Sequence, residues 1–274
     1  MREGLELTKK SWGLLRENRH LFRFPIVGAG VAILLTAALV LPGLYLIDDG
    51  QAVIGGLLAA IGLYGATFVS VYFAVGLAAT ADRIFRGEPA TYADGMAVAR
   101  ANIAAIAGWA ALSALVGVLV SSLQRLGGVG AAIAAAIVGT AWGLVSFMAV
   151  PVLAFENTGP VATLRRSASL FKDRWAGQVT GNIAIGGIVF LLGILPAIIL
   201  IAVGGYLWAD SGGDAGLAGG AVLVGVGAIV LVVALLIMQA MQSIFGVALY
   251  RYATTGTATA TFSEAELQSA VRTK

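Results

Sequence analysis

The sequence predicts an all-α fold, a polytopic membrane bundle of six transmembrane helices arranged as three hairpins. Three observations lead to this fold class. The chain of 274 residues is 59% hydrophobic and only 11% charged, whereas soluble domains have about 25% charged residues. Six stretches contain no charged side chain, and each has at least the ~20 residues that are needed to cross ~30 Å of hydrocarbon. Sixteen of the 17 lysines and arginines lie in the segments on one side of these stretches.

The uncharged stretches define the order of the predicted helices. They are residues 25–47, 51–81, 102–123, 127–155, 176–209 and 216–250. Short connections join the first to the second, the third to the fourth and the fifth to the sixth, and short connections make neighbouring helices antiparallel. No polar segment exceeds about 25 residues, which argues against a separate soluble domain. We therefore interpret residues 1–274 as a single membrane domain, with an amphipathic cytoplasmic helix in 1–24, the six-span bundle in 25–250, and a tail with a short helix in 251–274.

The basic residues predict the orientation. Arg125 is the only lysine or arginine on one side of the six stretches, and all the others lie in the terminal segments and the two longer connections. Short loops rich in lysine and arginine remain in the cytoplasm. We therefore expect a multi-pass protein of a prokaryotic cell (plasma) membrane with both termini in the cytoplasm. The net charge of +3 then indicates the anionic inner leaflet, and not nucleic acid, as the ionic partner.

A further helix is predicted before each hairpin, in residues 3–23, 91–102 and 159–176. The first of these places Leu14 and Leu15 on an apolar arc, with charged side chains on the opposite arc. Helices of this kind commonly lie in the membrane interface. We expect that arrangement here, with packing beneath the bundle as the alternative.

The second and third of these helices carry local signals. Thr91-x-x-Asp94 predicts a capping box at the start of the second helix. Thr158 predicts an N-cap for the third, and an apolar stripe predicts its buried face. The stripe consists of Val161, Leu164, Ala168, Phe171 and Trp175.

The basic faces of the first and third helices form the predicted binding site for anionic lipid headgroups. A lysine or arginine close to an anionic bilayer surface is attracted to it by about 1 kcal/mol. The predicted headgroup residues are Arg16, Arg19, Arg23, Arg165, Arg166, Lys172 and Arg174.

Three neutral polar residues, Gln239, Gln242 and Ser243, lie in the sixth stretch. Gln239 is about eleven residues from the cytoplasmic end of this stretch, which is near mid-depth at ~1.5 Å per residue. An amide exposed to lipid is costly, so we expect the three side chains to face other helices. They would serve there either as interhelical hydrogen-bonding groups or as a polar site for cargo.

Prolines and glycines predict where the helices are distorted or closely packed. Pro42, Pro151 and Pro196 predict distortions in the first, fourth and fifth stretches, because each proline removes a backbone hydrogen bond. Gly139-x-x-x-Gly143 predicts a close approach of another helix to the fourth stretch.

Catalytic, cofactor and metal sites are not predicted. The chain has no cysteine and a single histidine, His20, which falls on the polar face of the first helix. No spacing of His, Asp and Glu matches a zinc site, and the carboxylates on the basic side have basic neighbours that favour surface ion pairs. We expect a non-enzymatic membrane scaffold or lipid-interacting component. The alternative is a passive or lipid-like small-molecule transporter that uses Gln239 and Gln242, and protein partners or a homo-oligomer are left open.

Several short motifs resemble a known family. They are Ser11-Trp12-x-x-Leu15, Leu21-Phe22-x-Phe24-Pro25, Val150-Pro151-Val152-x-x-Phe155-Glu156, Leu164-Arg165-Arg166-Ser167 and Trp175. Together they resemble an uncharacterised family of six-span archaeal and bacterial integral membrane proteins that carries only a domain-of-unknown-function label. The Arg-Arg-Ser segment is also distantly similar to the membrane domain that accompanies glycerophosphoryl diester phosphodiesterases. The resemblance implies six spans and cytoplasmic helices, and it brings no catalytic residues.

Overall fold

The computed structural model describes residues 2–175, 187, 189–210 and 214–256, and this part of the chain contains helices and connecting turns but no strand. Six of its helices are long and apolar enough to cross a membrane, and we number them as the first to sixth spans. They are Arg19–Asp48, Ala52–Phe85, Ile103–Arg125, Gly128–Phe155, Phe190–Ala209 and Leu217–Thr255. The predicted fold class is therefore confirmed.

Three helices lie outside the spans in the described residues. They are the N-terminal helix (Arg2–Glu17), the short helix (Tyr92–Ala101) and the basic helix (Pro160–Trp175). All three lie at the end of the bundle where the second span ends and the third begins, and we call this end the basic end. The short helix predicted in the tail, 251–274, is not tested, because the tail beyond residue 256 lies outside the described residues. Residues 251–255 belong to the last turn of the sixth span.

The N-terminal helix is shorter than the predicted segment 3–23. It stops at Glu17, because Asn18 leaves the helical region of backbone space at φ −109° and ψ 64°. The Asn18 backbone N–H and side-chain amide both donate to the Leu14 carbonyl oxygen at 3.0 Å, so Asn18 closes the last turn of the helix. A 3₁₀ turn, Arg19–Phe22, then leads directly into the first span.

Proline distorts the helix in each of the three spans where a distortion was predicted. Proline removes the hydrogen bond to the carbonyl group four residues earlier and clashes with that carbonyl group. For Pro42 and Pro196, the residue four positions earlier lies in a π-helical segment, Thr36–Val40 or Phe190–Ile194. For Pro151, that residue lies in the turn that divides the fourth span into Gly128–Ser146 and Ala149–Phe155. The three predictions are confirmed.

The spans pair as three hairpins through close helix contacts. In the first hairpin, a Cβ atom added to Gly43 would lie 2.7 Å from the Gly55 carbonyl oxygen, so this crossing requires glycine. In the third hairpin, a Cβ atom added to Gly204 would lie 2.8 Å from the Gly220 carbonyl oxygen. The predicted contact at Gly139-x-x-x-Gly143 is wrong, because a Cβ atom added at either glycine would meet nothing within 4 Å.

The second span is the central element of the bundle. It packs against the first, third and sixth spans and against the Ala149–Phe155 part of the fourth. The principal buried cluster lies around its last three turns, at the basic end. Only 11 to 22% of the most apolar window of each span is fully buried within the protein, so each span keeps surface that can contact lipid.

The N-terminal helix packs its apolar side against the sixth span. Ser11, Leu14 and Leu15 are buried there, while Arg16 and Glu17 are exposed. The second half of this helix therefore packs against the bundle, as the alternative predicted, while Trp12 on the same arc stays 41% exposed, so contact of the helix with the lipid interface stays a prediction. The packing is possible because the Asn18 turn folds the helix back under the first span.

The basic helix also packs against the bundle, through a face that overlaps the predicted stripe only in part. Of the stripe, Val161 is 55% exposed, Leu164 packs against the core, and the side chains of Phe171 and Trp175 fall outside the described residues. The buried residues of the helix are Thr163, Ser167 and Leu170. Hydroxyl groups can be buried at this face because they find acceptors. The Thr163 hydroxyl donates to the Thr158 carbonyl oxygen at 3.1 Å, and the Ser167 hydroxyl donates to the Val145 carbonyl oxygen of the fourth span.

Candidate functional site

An ion-pair network at the basic end joins the second and sixth spans. Asp82, near the end of the second span, accepts hydrogen bonds from Arg251 of the sixth span at 2.6 Å. The same carboxylate lies 3.1 Å from Arg86, one turn further along its own helix. Asp82 is only 13% exposed and Arg251 25%. The pair therefore holds the two spans together and offers little charge to the surroundings.

A second part of the network fixes the short helix to the end of the second span. Arg83 lies 3.0 Å from Asp94, and Arg86 lies 2.7 Å from Glu88 in the connection. Asp94 also forms the predicted capping box: its carboxylate accepts hydrogen bonds from the Thr91 N–H at 2.9 Å and from the Thr91 hydroxyl at 2.7 Å. The hydrogen bonds from Thr91, supported by Arg83, hold the pKa of Asp94 below its ordinary value.

A third cluster joins the fourth span, the basic helix and the sixth span. Glu156 accepts hydrogen bonds from Arg166 Nε, at 2.8 Å and 3.2 Å to its two oxygens, and from the Tyr250 hydroxyl at 2.9 Å. The ring of Phe155 lies 5.4 Å from the Tyr250 ring. Arg166 was predicted to bind headgroups, but its Nε atom is directed at a carboxylate of the protein. Headgroup binding by its remaining N–H groups stays a prediction.

Most of the predicted headgroup residues remain exposed. Of the carboxylates at the basic end in the described residues, Asp82, Glu88, Asp94 and Glu156 all lie in ion pairs with arginine. Among the carboxylates whose side chains the structure describes, which leaves out Glu3, Glu6 and Asp173, none forms an ion pair with the exposed basic residues Arg16, Arg19, Arg23, Arg165 and Lys172. The side chain of Arg174 falls outside the described residues.

The structure adds Arg100, which sequence reasoning missed as a headgroup residue. Arg100 lies in the last turn of the short helix and is exposed. Burial is the main cause of the raised pKa of Tyr92, and Tyr72 is the second. Arg100 and Arg23 are close enough to Tyr92 to oppose this rise. The sequence did contain a signal for Arg100. Asp94, the acidic residue of this helix, is already needed for the capping box and is therefore not available to pair with Arg100.

A crevice of about 200 Å³ lies between the first, second and sixth spans. Its walls are almost entirely apolar or small side chains, and it is lined by Phe24, Gly28, Ala32, Phe73, Leu77 and Gln239 among others. Ser70 also lines it, but its hydroxyl donates to the Ala66 carbonyl oxygen of its own helix at 2.9 Å. Gln239 is thus the polar group that the crevice offers.

The three polar residues of the sixth span were predicted to face other helices. Gln239 lines the crevice opposite the first and second spans, and it stays exposed because small residues on the first span leave a gap beside it. Gln242 is half-buried, and the Ser243 hydroxyl oxygen is buried without a hydrogen-bond partner in the described residues. Whether these groups serve as interhelical hydrogen-bonding groups or as a site for cargo stays a prediction.

A family model for a family of unknown function (DUF6159) matches residues 53–260. This range covers the second to sixth spans and is more than half of the chain, so the chain belongs to this family. No curated protein and no solved structure matches the chain. The match says nothing about the membrane domain that accompanies glycerophosphoryl diester phosphodiesterases, so that distant similarity stays a prediction.

Proposed function

We propose that this member of the family of unknown function DUF6159 is a non-enzymatic membrane component whose basic end binds anionic lipid headgroups. One observation carries the proposal, namely the division of the basic residues into two sets. Arg83, Arg86, Arg166 and Arg251 neutralise carboxylates of the protein. The exposed set defined above has no such partner among the carboxylates whose side chains the structure describes, and it lies at the end of the bundle that we expect to face the cytoplasmic leaflet.

The energetics support lipid headgroups as the partner of the exposed set. Each lysine or arginine near an anionic membrane surface contributes about 1 kcal/mol of attraction, which is about a fivefold change in affinity. Exposed residues on both the N-terminal helix and the basic helix bring several such charges to one end of the bundle. Packing of both helices against the spans keeps these charges near the bilayer surface.

The alternative of a passive or lipid-like transporter has weaker support. Transport of a polar solute past Gln239 would require a polar path, and the crevice beside Gln239 has apolar walls. The crevice suits an apolar ligand in contact with Gln239 better than a polar solute. We therefore place lipid interaction ahead of transport.

The experiment measures the preference of the reconstituted protein for phosphatidylglycerol over phosphatidylcholine. Brominated forms of each lipid quench tryptophan fluorescence, and Trp12 is 41% exposed on the N-terminal helix. We expect the wild-type preference to fall as ionic strength rises from about 0.01 M to about 1 M, since the screening length shrinks from ~30 Å to ~3 Å. The variant Arg165→Glu with Lys172→Glu should lose most of the preference, by about fivefold or more per residue.

The matched control removes a paired charge instead of a free one. Asp82→Asn with Arg251→Gln leaves the net charge unchanged and removes a pair in which neither residue is predicted to bind headgroups, so the lipid preference should stay at the wild-type value. An unchanged preference in the Arg165→Glu, Lys172→Glu variant would refute headgroup binding by the exposed set.

A further inference from the structure

The crevice between the first, second and sixth spans lies within the hydrocarbon depth of the bundle. Along the first span it extends from Phe24 to Ile33, and along the second from Leu77 to Ser70. Nine residue steps of helix cover about 13 Å, so the crevice runs from the basic end toward mid-membrane. Ile33 is 54% exposed, and Gln239 is also exposed, so the crevice opens toward the outside of the bundle.

The shape of the crevice follows from the small side chains of the first span. A Cβ atom added to Gly28 would lie 3.0 Å from Phe73, so the two helices are in contact at this level. Next to this contact, Ala29 and Ala32 leave space that larger residues would fill. A cavity with apolar walls does not hold water, and in a bilayer the molecule that surrounds the spans is lipid.

Positive charge and a phenol group lie near the end of the crevice at Phe24, which is fully buried. The ring of Phe24 lies 4.6 Å from the ring of Tyr92. Arg23 precedes Phe24, and both Arg23 and Arg100 act electrostatically on Tyr92. Both arginines are exposed and have no ion pair with a carboxylate whose side chain the structure describes. The Tyr92 hydroxyl is protonated at neutral pH and can donate to a phosphate oxygen.

We infer that the crevice holds one acyl chain of an anionic phospholipid, whose phosphate group binds to Arg23, Arg100 and Tyr92. The inference rests on the proposed function and extends it from a general attraction at the surface to a single bound lipid molecule. An apolar chain fits the walls, and an anionic headgroup fits the charge near the Phe24 end. Gln239 lies beside the chain, on the wall formed by the sixth span.

The test uses the purified, delipidated full chain in detergent and measures lipid binding by native mass spectrometry. We expect one phosphatidylglycerol to be retained more strongly than any further lipid, and more strongly than phosphatidylcholine. A phosphatidylglycerol with a diazirine in its acyl chain should crosslink to the segments 24–33 and 70–77 of the unaltered protein. Crosslinks distributed over all the spans would overturn the inference without any variant.

Two variants separate the chain from the headgroup. Ala32→Phe fills the crevice and should weaken retention of the strongly bound lipid by about tenfold or more, which corresponds to ~1.4 kcal/mol. Val31→Phe adds the same ring on a neighbouring position that faces outward, and it should leave retention unchanged. Arg23→Gln with Arg100→Gln should reduce the preference for phosphatidylglycerol over phosphatidylcholine while a chain still occupies the crevice.

The outcomes distinguish this inference from the proposed function. If the wild-type protein shows no preference for phosphatidylglycerol in detergent or in bilayers, both fail. If the preference in bilayers persists but Ala32→Phe retains the lipid as the wild type does, the crevice is not the binding site and the proposed function stands. If Ala32→Phe no longer retains the lipid in detergent, while its preference for phosphatidylglycerol in bilayers through the exposed set stays normal, both the inference and the proposed function are supported.

Discussion

Adjacent residues at the basic end have different surroundings and therefore different roles. Arg165 and Arg166 are neighbours in the same helix, yet Arg165 is exposed whereas Arg166 contacts Glu156. Side chains one residue apart in a helix point about 100° apart, so one faces the bundle and the other faces outward. The sequence alone could not separate them, because Glu156 and Tyr250 reach Arg166 only through the tertiary fold.

This difference predicts unequal effects on stability. Arg166→Gln should lower the free energy of unfolding by about 1–3 kcal/mol, because it leaves the half-buried Glu156 carboxylate without its cationic partner. Arg165→Gln should change the same quantity by no more than about 0.5 kcal/mol, as expected for an exposed residue. Thermal unfolding in detergent, followed by tryptophan fluorescence, measures both. Equal effects of the two substitutions would contradict the assignment of Arg166 to the Glu156 cluster.

At the scale of elements, local signals were sufficient for most helices but not for their faces. Uncharged stretches predicted the spans, and the prolines predicted the distortions, because both depend on residues close in sequence. The buried face of the basic helix was predicted only in part, since Leu164 packs against the core but Val161 is exposed. Thr163 and Ser167 are buried because their hydroxyls bond to carbonyl groups, and hydrophobicity alone ignores such partners.

The capping box of the short helix predicts a dependence of stability on pH. Because the hydrogen bonds from Thr91 and the charge of Arg83 lower the pKa of Asp94 in the folded state, its stabilising effect is present above the unfolded pKa of about 3.9. The effect is lost as the pH falls through the lower, folded pKa. Asp94→Asn should therefore melt below the wild type at neutral pH, and the difference should shrink in acid below about pH 4. A difference that stays constant over this range would contradict ionisation of Asp94 as its source.

At the scale of the whole molecule, the number of spans could be predicted, but their arrangement could not. Hydrophobicity reports only that a helix enters the membrane, since lipid and a protein interior are equally apolar. The central position of the second span depends on contacts such as Asp82 with Arg251, which are far apart in sequence. The crevice beside Gln239 likewise arises from small residues on the first span that the sequence brings near the sixth only in the folded chain.

The orientation of the bundle gives the last prediction. The basic end should face the cytoplasm, because the cell retains short lysine- and arginine-rich segments on that side of the membrane. The chain contains no cysteine, so single cysteines can be introduced without background. Gln51→Cys and Leu126→Cys, at exposed sites on the end opposite the basic end, should react with a membrane-impermeant maleimide on intact cells. Ala97→Cys and Gly159→Cys, exposed at the basic end, should react only after the membrane is permeabilised. The reverse pattern would place the exposed basic set outside the cell, away from the anionic inner leaflet to which the proposed function assigns it.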